Sequence, residues 1–153
     1  MSAAEQRLKE LGHELPPPPA AMANYVTAVR SGNLIFLSGH GPLQGGRAVY
    51  VGKVGRDLDT DTARKAAELT ALNLLATLKA ELGDLDRVRR IVKVLGFVNC
   101  TPEFGQQPQV INGASDLLVA VFGEKGRHAR SAVGTDSLPV GIPVEIEMVV
   151  EVE

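Results

Sequence analysis

The 153-residue chain has no tryptophan, one cysteine and an aromatic content of only 4%. With so few rings, aliphatic side chains must build the core. The lone Cys100 excludes an intrachain disulfide. The N-terminus has no apolar run of signal-peptide length, so a cytoplasmic protein with a reduced thiol is expected. Nor is there a run of 18 apolar residues to span a bilayer, and no membrane partner is expected. Charge of one sign is also missing: 16 Lys plus Arg against 18 Asp plus Glu leave −2. That balance removes the general electrostatic argument for nucleic acid, leaving only local clusters at Arg87, Arg89, Arg90 and Lys93, or at Lys125, Arg127 and Arg130.

Two site types fail on spacing. Six glycines lie between positions 39 and 55, but Gly46 and Gly52-Lys53 are one residue too far apart for a phosphate loop, and Val54 stands where a hydroxyl would hold magnesium. Gly39-His40-Gly41 lacks the third glycine of a dinucleotide fingerprint. His13, His40, His128 and Cys100 are too scattered for one element to present several metal ligands, so no metal is expected. Cys100, at the end of a strand candidate, reads as an inert packing residue.

What is present is ordinary globular balance, 44% hydrophobic and 22% charged, in a length that suggests one domain burying roughly 70% of its unfolded surface. Ser2 and Glu5 have capping-box spacing before Leu8 and Leu11, and Gly12 can stop this short helix. Pro16 to Pro19 favour an extended spacer. Residues 1–19 therefore read as an amphipathic arm with a proline-rich spacer, and 20–153 as the domain. Tyr25–Arg30 and Asn33–Ser38 predict a hairpin about Ser31-Gly32, and Ala48–Val51 a third strand. Asp59 or Thr60 caps a helix whose Ala63, Ala67, Ala71, Leu74, Leu78 and Leu82 recur at helical steps until Gly83. Ile91–Asn99 is a strand candidate. A second helix enters through Pro108 and buries Val110, Ala114, Leu117, Leu118, Val121 and Phe122. Ala129–Asp136 and Val144–Val152 close the sheet, the latter alternating Val, Ile and Met with Glu. The order β-β-β-α-β-α-β-β points to an α+β fold, one sheet covered on one side by two helices.

The C-terminal block from Arg130 through Leu138-Pro139 to Val144-Glu145-Ile146-Glu147 resembles the signature of the Rid (reactive intermediate deaminase, YjgF-like) family. Tyr25, thirteen residues ahead of Ser38-Gly39, and the run Gly32 to Leu43 resemble its opening strand pair, and Asn112 sits where the family carries a site asparagine. The resemblance covers about residues 20 to 152. It implies a chorismate-mutase-like single mixed sheet, a homotrimer with ligand clefts between subunits, and cofactor-free hydrolysis of enamines or imines of amino acids to 2-keto acids and ammonium. Some family members are credited instead with endoribonuclease or translation-inhibitor activity, and a non-catalytic carboxylate-binding trimer is the third reading.

The residue types suit the first chemistry. A guanidinium fork takes a planar carboxylate through two charge-assisted hydrogen bonds, and Arg130 is the candidate. Hydrolysis needs a group that exchanges protons with water in a partly dry cleft. Glu145 takes that role in the family register, although Glu147 projects to the same strand face and periodicity alone does not choose between them. Tyr25 would pack against the ligand, Ser38 and Gly39 would offer a hydroxyl and close backbone approach, and Asn112 a polar donor. Ala132 stands where deaminases commonly have cysteine, and serves if the backbone carbonyl is what matters. His40 is expected either to line the cleft and titrate near neutrality or to sit in a loop.

Overall fold

A computed structural model describes residues 1–153. Three helices, α1 (Ala3–Glu10), α2 (Thr60–Leu82) and α3 (Gln107–Phe122), are interspersed with strands β1 (Ala28–Ser31), β2 (Leu34–His40), β3 (Leu43–Gln44), β4 (Arg47–Ala48), β5 (Val88–Asn99), β6 (Ala129–Thr135) and β7 (Val144–Val152). Five strands form a mixed sheet in the order β1-β2-β7-β5-β6, while β3 and β4 pair as a separate ribbon. Only β5 and β6 are parallel, and α3 connects them. This is the α+β arrangement expected from the sequence, with α2 and α3 on one face of the sheet and α1 as a third helix packed beside α3.

Local chemistry sets these elements. Asp59 caps α2 by accepting the Thr62 N–H at 2.8 Å, and Gly83, at φ +81°, ends it. The α2 alanines at 63, 66, 67 and 71 are fully buried. Such small side chains let α3 come close enough that a Cβ on Gly113 would collide with the Arg64 carbonyl oxygen. In β7, Val144, Ile146, Met148, Val150 and Val152 are buried beneath the helices, whereas Glu145, Glu147, Val149 and Glu151 are half-buried on the other face. That second face also exposes Phe36 and Val133 and leaves Leu95 and Phe97 half-exposed.

The N-terminal helix is part of the core. Ala4 and Leu8 are buried, and Asp86 accepts the N–H groups of Ala3 and Ala4 at 2.8 and 3.1 Å, satisfying two orphan donors of the first turn. From there Pro16–Pro19 run past Asn73 of α2 and Leu43, Gly45 and Gly46 of the ribbon, along one groove.

Two strands differ from expectation. The first begins at Ala28, not Tyr25, because β2 shifts register between Leu37 and His40. Beyond the Ser38 N–H to Thr27 carbonyl bond of 3.0 Å there is no straight edge left to pair with. Ala48–Val51 is not a strand of the main sheet either. The positive-φ pair Gly45-Gly46 turns the chain back at once, so pairing is spent on the two-residue β3 and β4.

Candidate functional site

The site residues expected from sequence fall into two groups. Tyr25, Ser38, Gly39 and Glu145 line one cavity of about 430 Å³, together with Pro19, Met22, Leu43, Val140 and Ile142. The β2 bulge places Ser38 and Gly39 on its wall, and Asn73 fixes the adjoining loop by donating to the Gly41 and Leu43 carbonyls at 3.1 and 2.9 Å. Met22 and Tyr25 are tied by the Met22 N–H, which donates to the Tyr25 hydroxyl at 3.3 Å. Besides Thr27, Ser38, His40, Tyr25 and Glu145 the lining is glycine, proline, alanine and aliphatic side chains, so the half-buried carboxyl has few polar neighbours. Burial first, and the charge of Glu147 second, push the Glu145 carboxyl above its ordinary value. A carboxylate so perturbed is a stronger base than a solvated one.

The backbone at Val140, another lining residue, is strained. Val140 sits at φ +50°, a region a β-branched side chain rarely enters, and Gly141 follows at φ +73°. Val140 is nevertheless 62% exposed, so no packed core compels the conformation, and the residue lines the cavity.

His40 is at the end of β2 and lines the same cavity, yet it is only 5% exposed. Its Nδ1 is 2.6 Å from the Ser38 carbonyl, which can only accept, so Nδ1 carries the proton and Nε2 accepts from the Thr77 hydroxyl at 2.8 Å. Burial lowers its pKa from the ordinary value of 6.5. The expectation of titration near neutrality is thereby corrected: this imidazole is a neutral brace beneath the bulge.

Arg130, Asn112 and Ala132 belong to the second group. Arg130 lies on edge strand β6, opposite buried Val94, and its Nη1 donates to Asn112 Oδ1 at 2.8 Å and to Ser115 Oγ at 3.2 Å. Asn112 and Ser115 share one face of α3 by their three-residue spacing. Ala132, two residues along β6, points the same way opposite Gly96. Asn112 thus holds the arginine through its carbonyl oxygen. Two residues not expected from sequence belong here: Ser115, and His128, whose ring lies 2.9 Å from it.

One chain does not bring the groups together. Strand β5 separates β6 from β7, and Arg130 projects to the helix-covered face whereas Glu145, opposite Phe97, projects to the other. Arg130 and Glu145 therefore occupy different surfaces of the chain. No helix is long and apolar enough to cross a membrane.

Comparison with known proteins matches residues 5–151 to the family described as "YjgF/chorismate_mutase-like, putative endoribonuclease". The protein TCP17 of Trypanosoma cruzi is 45% identical over 145 residues, 94% of this chain and 91% of its own. The crystal structure of Atu1372 from Agrobacterium tumefaciens superposes with a TM-score of 0.93 at 51% identity, over 99% of this chain and 93% of that one. A "putative endoribonuclease" from Shewanella oneidensis superposes with a TM-score of 0.94 at 33% identity, over 97% and 99%.

Proposed function

The chain belongs to the YjgF/chorismate mutase-like family, and from that premise we propose that it hydrolyses 2-imino acids, or the enamines that tautomerise to them, to 2-keto acids and ammonia. The observation that carries this reading is the division of labour between the two groups. One is a cationic fork with no carboxylate paired to it, and the other is a carboxyl of raised pKa in a cavity with no cation beside it. Each is half of what an imino acid needs.

The halves meet if Arg130 of one copy faces the cavity of the next, as in the homotrimer that the family resemblance implies. Support for a second copy comes from the sheet face that keeps Phe36 and Val133 exposed. Light scattering should give about three times 16.2 kDa.

In the assembled cleft Arg130 fixes the carboxylate and presents the C=N carbon to a water molecule. Glu145 takes a proton from that water as its oxygen bonds to carbon and returns it to the imine nitrogen, giving a carbinolamine; it then takes the hydroxyl proton and delivers it to nitrogen as the carbonyl forms and the C–N bond breaks. The sum is imine plus water to ketone plus ammonia, which takes up a further proton from solvent. The apolar lining suits an apolar substituent on the imino acid, and Tyr25 and Ser38 lie where they can flank it.

Endoribonuclease activity has weaker support. Tyr25 is the only phenyl or phenol ring in the cavity, whereas single-stranded RNA is held by stacked bases on several rings.

The test is keto-acid formation from imino acids generated in situ by an amino-acid oxidase and trapped with semicarbazide. Acceleration by the wild type, lost in Arg130→Ala and Glu145→Gln, is the expected result. No acceleration with any imine supplied overturns the reading.

A further inference from the structure

We infer that Ser115 and His128 are positioning residues for Arg130, forming with it a hydrogen-bonded chain that aims one edge of the guanidinium at a ligand carboxylate. The inference rests on Arg130 being the anion anchor proposed above.

The direction of every bond in the chain follows from its ends. His128 Nδ1 is 2.6 Å from the Gly126 carbonyl, an obligate acceptor, so the proton is on Nδ1. Nε2 is then the acceptor, and Ser115 donates its hydroxyl to it at 2.9 Å. With its proton committed there, the Ser115 oxygen turns a lone pair to Arg130 Nη1 at 3.2 Å, beside the 2.8 Å bond from the same nitrogen to Asn112 Oδ1. Burial, and less strongly the Arg130 charge, hold His128 below its ordinary pKa of 6.5, which keeps Nε2 free to accept.

The consequence is geometric. Both bonds within the chain leave from Nη1, so Nη2 and Nε form the free edge of the fork, and that edge presents two parallel N–H groups to a carboxylate. A guanidinium held only by Asn112 could rotate about its long stem. Ser115, locked by His128, supplies the second point that fixes the plane. The signal in sequence was slight: Ser115 follows Asn112 by one helical step, and His128 precedes Arg130 by two residues.

Two readouts test the chain. Nitrogen-15 NMR of the Arg130 guanidinium should show slow rotation of Nη1 in the wild type, and fast rotation in Ser115→Ala and His128→Phe. Affinity for 2-oxobutanoate, a stable keto acid, should fall about tenfold in the same variants, the size of one lost hydrogen bond to a charged group. KM for imine should rise with it while kcat stays within about twofold, since the chain touches no reacting atom. Ser115→Thr, which keeps the hydroxyl, and His128→Gln, which keeps one donor and one acceptor, should recover most of both signals. Unchanged guanidinium rotation in Ser115→Ala overturns the proposal. So does an equal loss in Ser115→Ala and Ser115→Thr, which marks mere packing. If the wild type binds no keto acid but Nη1 is still freed in Ser115→Ala, the positioning chain stands and the imine reading falls.

Discussion

The Gly39 Cα lies beneath the Glu145 carboxylate: a methyl group there would stand 2.8 Å from Oε2 and 2.9 Å from the carboxyl carbon. The obstacle is the far end of a flexible side chain, so Gly39→Ala should cost the fold about 1 kcal/mol or less. For a base that must reach one water molecule, a displacement of about 1 Å can cost about 100-fold in rate. Gly39→Ala is expected to retain its melting temperature within a few degrees while kcat for imine hydrolysis falls at least about tenfold. Full activity in a folded Gly39→Ala protein would detach Glu145 from the chemistry.

The same carboxyl is a local burden on stability. Its pKa is raised by burial and by Glu147, so folding favours the protonated form. A raised group stabilises fully below its unfolded pKa and loses that contribution as pH climbs through the folded one. Glu145→Gln should therefore unfold at a higher temperature than the wild type at pH 7, and the difference should vanish below about pH 4.3, the usual range of a free glutamate. Its activity should be abolished throughout. A variant less stable at pH 7 would mean the carboxylate is held by contacts that compensate its burial.

How far could the sequence be read to this point? Strand β7 was legible because one buried face imposes a period of two, with apolar residues at five alternate positions, and α2 because Asp59 and Gly83 mark its ends chemically. The start of β1 was not, since Tyr25, Val26 and Thr27 favour a strand locally and only the bulge in β2 denies them a partner. Of the candidate site, Glu145 and Arg130 were reachable through the resemblance. Their placement on opposite faces depends on β5 lying between β6 and β7, a long-range pairing that no local pattern encodes. Ser115 and His128 were missed for the same reason: they meet only because α3 packs across β6.

His40 offers a test of the brace beneath the bulge. Its pKa is depressed by burial, so the folded state resists protonation. Stability contributed by the neutral ring is complete above its unfolded value of about 6.5 and declines as pH falls from there toward the folded value. The wild type should lose stability between pH 7 and pH 5 more steeply than His40→Gln. Thr77→Val, which removes the donor to Nε2, should cost about 1 to 3 kcal/mol at pH 7. Identical pH slopes for wild type and His40→Gln in denaturant titrations would show that the imidazole is solvated.

Gly113 is the contrast to Gly39. A Cβ at Gly113 meets backbone, the Arg64 carbonyl, and neither helix can yield without disturbing the interface between α2 and α3. Gly113→Ala should destabilise by about 3 kcal/mol, at the upper end for overpacking, although alanine favours an isolated helix by up to about 1 kcal/mol. Calorimetry showing an unchanged or raised melting temperature would mean that the helices are not in this close contact.

Met22 tests what the cavity selects. The proline run and the docked α1 carry Pro19, Ala20, Met22 and Ala23 to the cavity, where Met22 lines the wall together with Val140 and Leu43. An imino acid with a branched or long apolar side chain would bury that chain here, at about 0.8 kcal/mol for each methylene removed from water. The wild type should therefore favour the imine of leucine or methionine over that of alanine in kcat/KM by about tenfold or more. Met22→Ser opens the wall and wets it, so the preference should shrink several-fold through loss on the larger substrates, while the alanine imine is turned over as before. Val140→Gly should act in the same direction but relieve the backbone at φ +50°, which a glycine adopts without strain. A preference left intact in both variants would place the substrate side chain outside this cavity, and with it the assignment of the apolar wall.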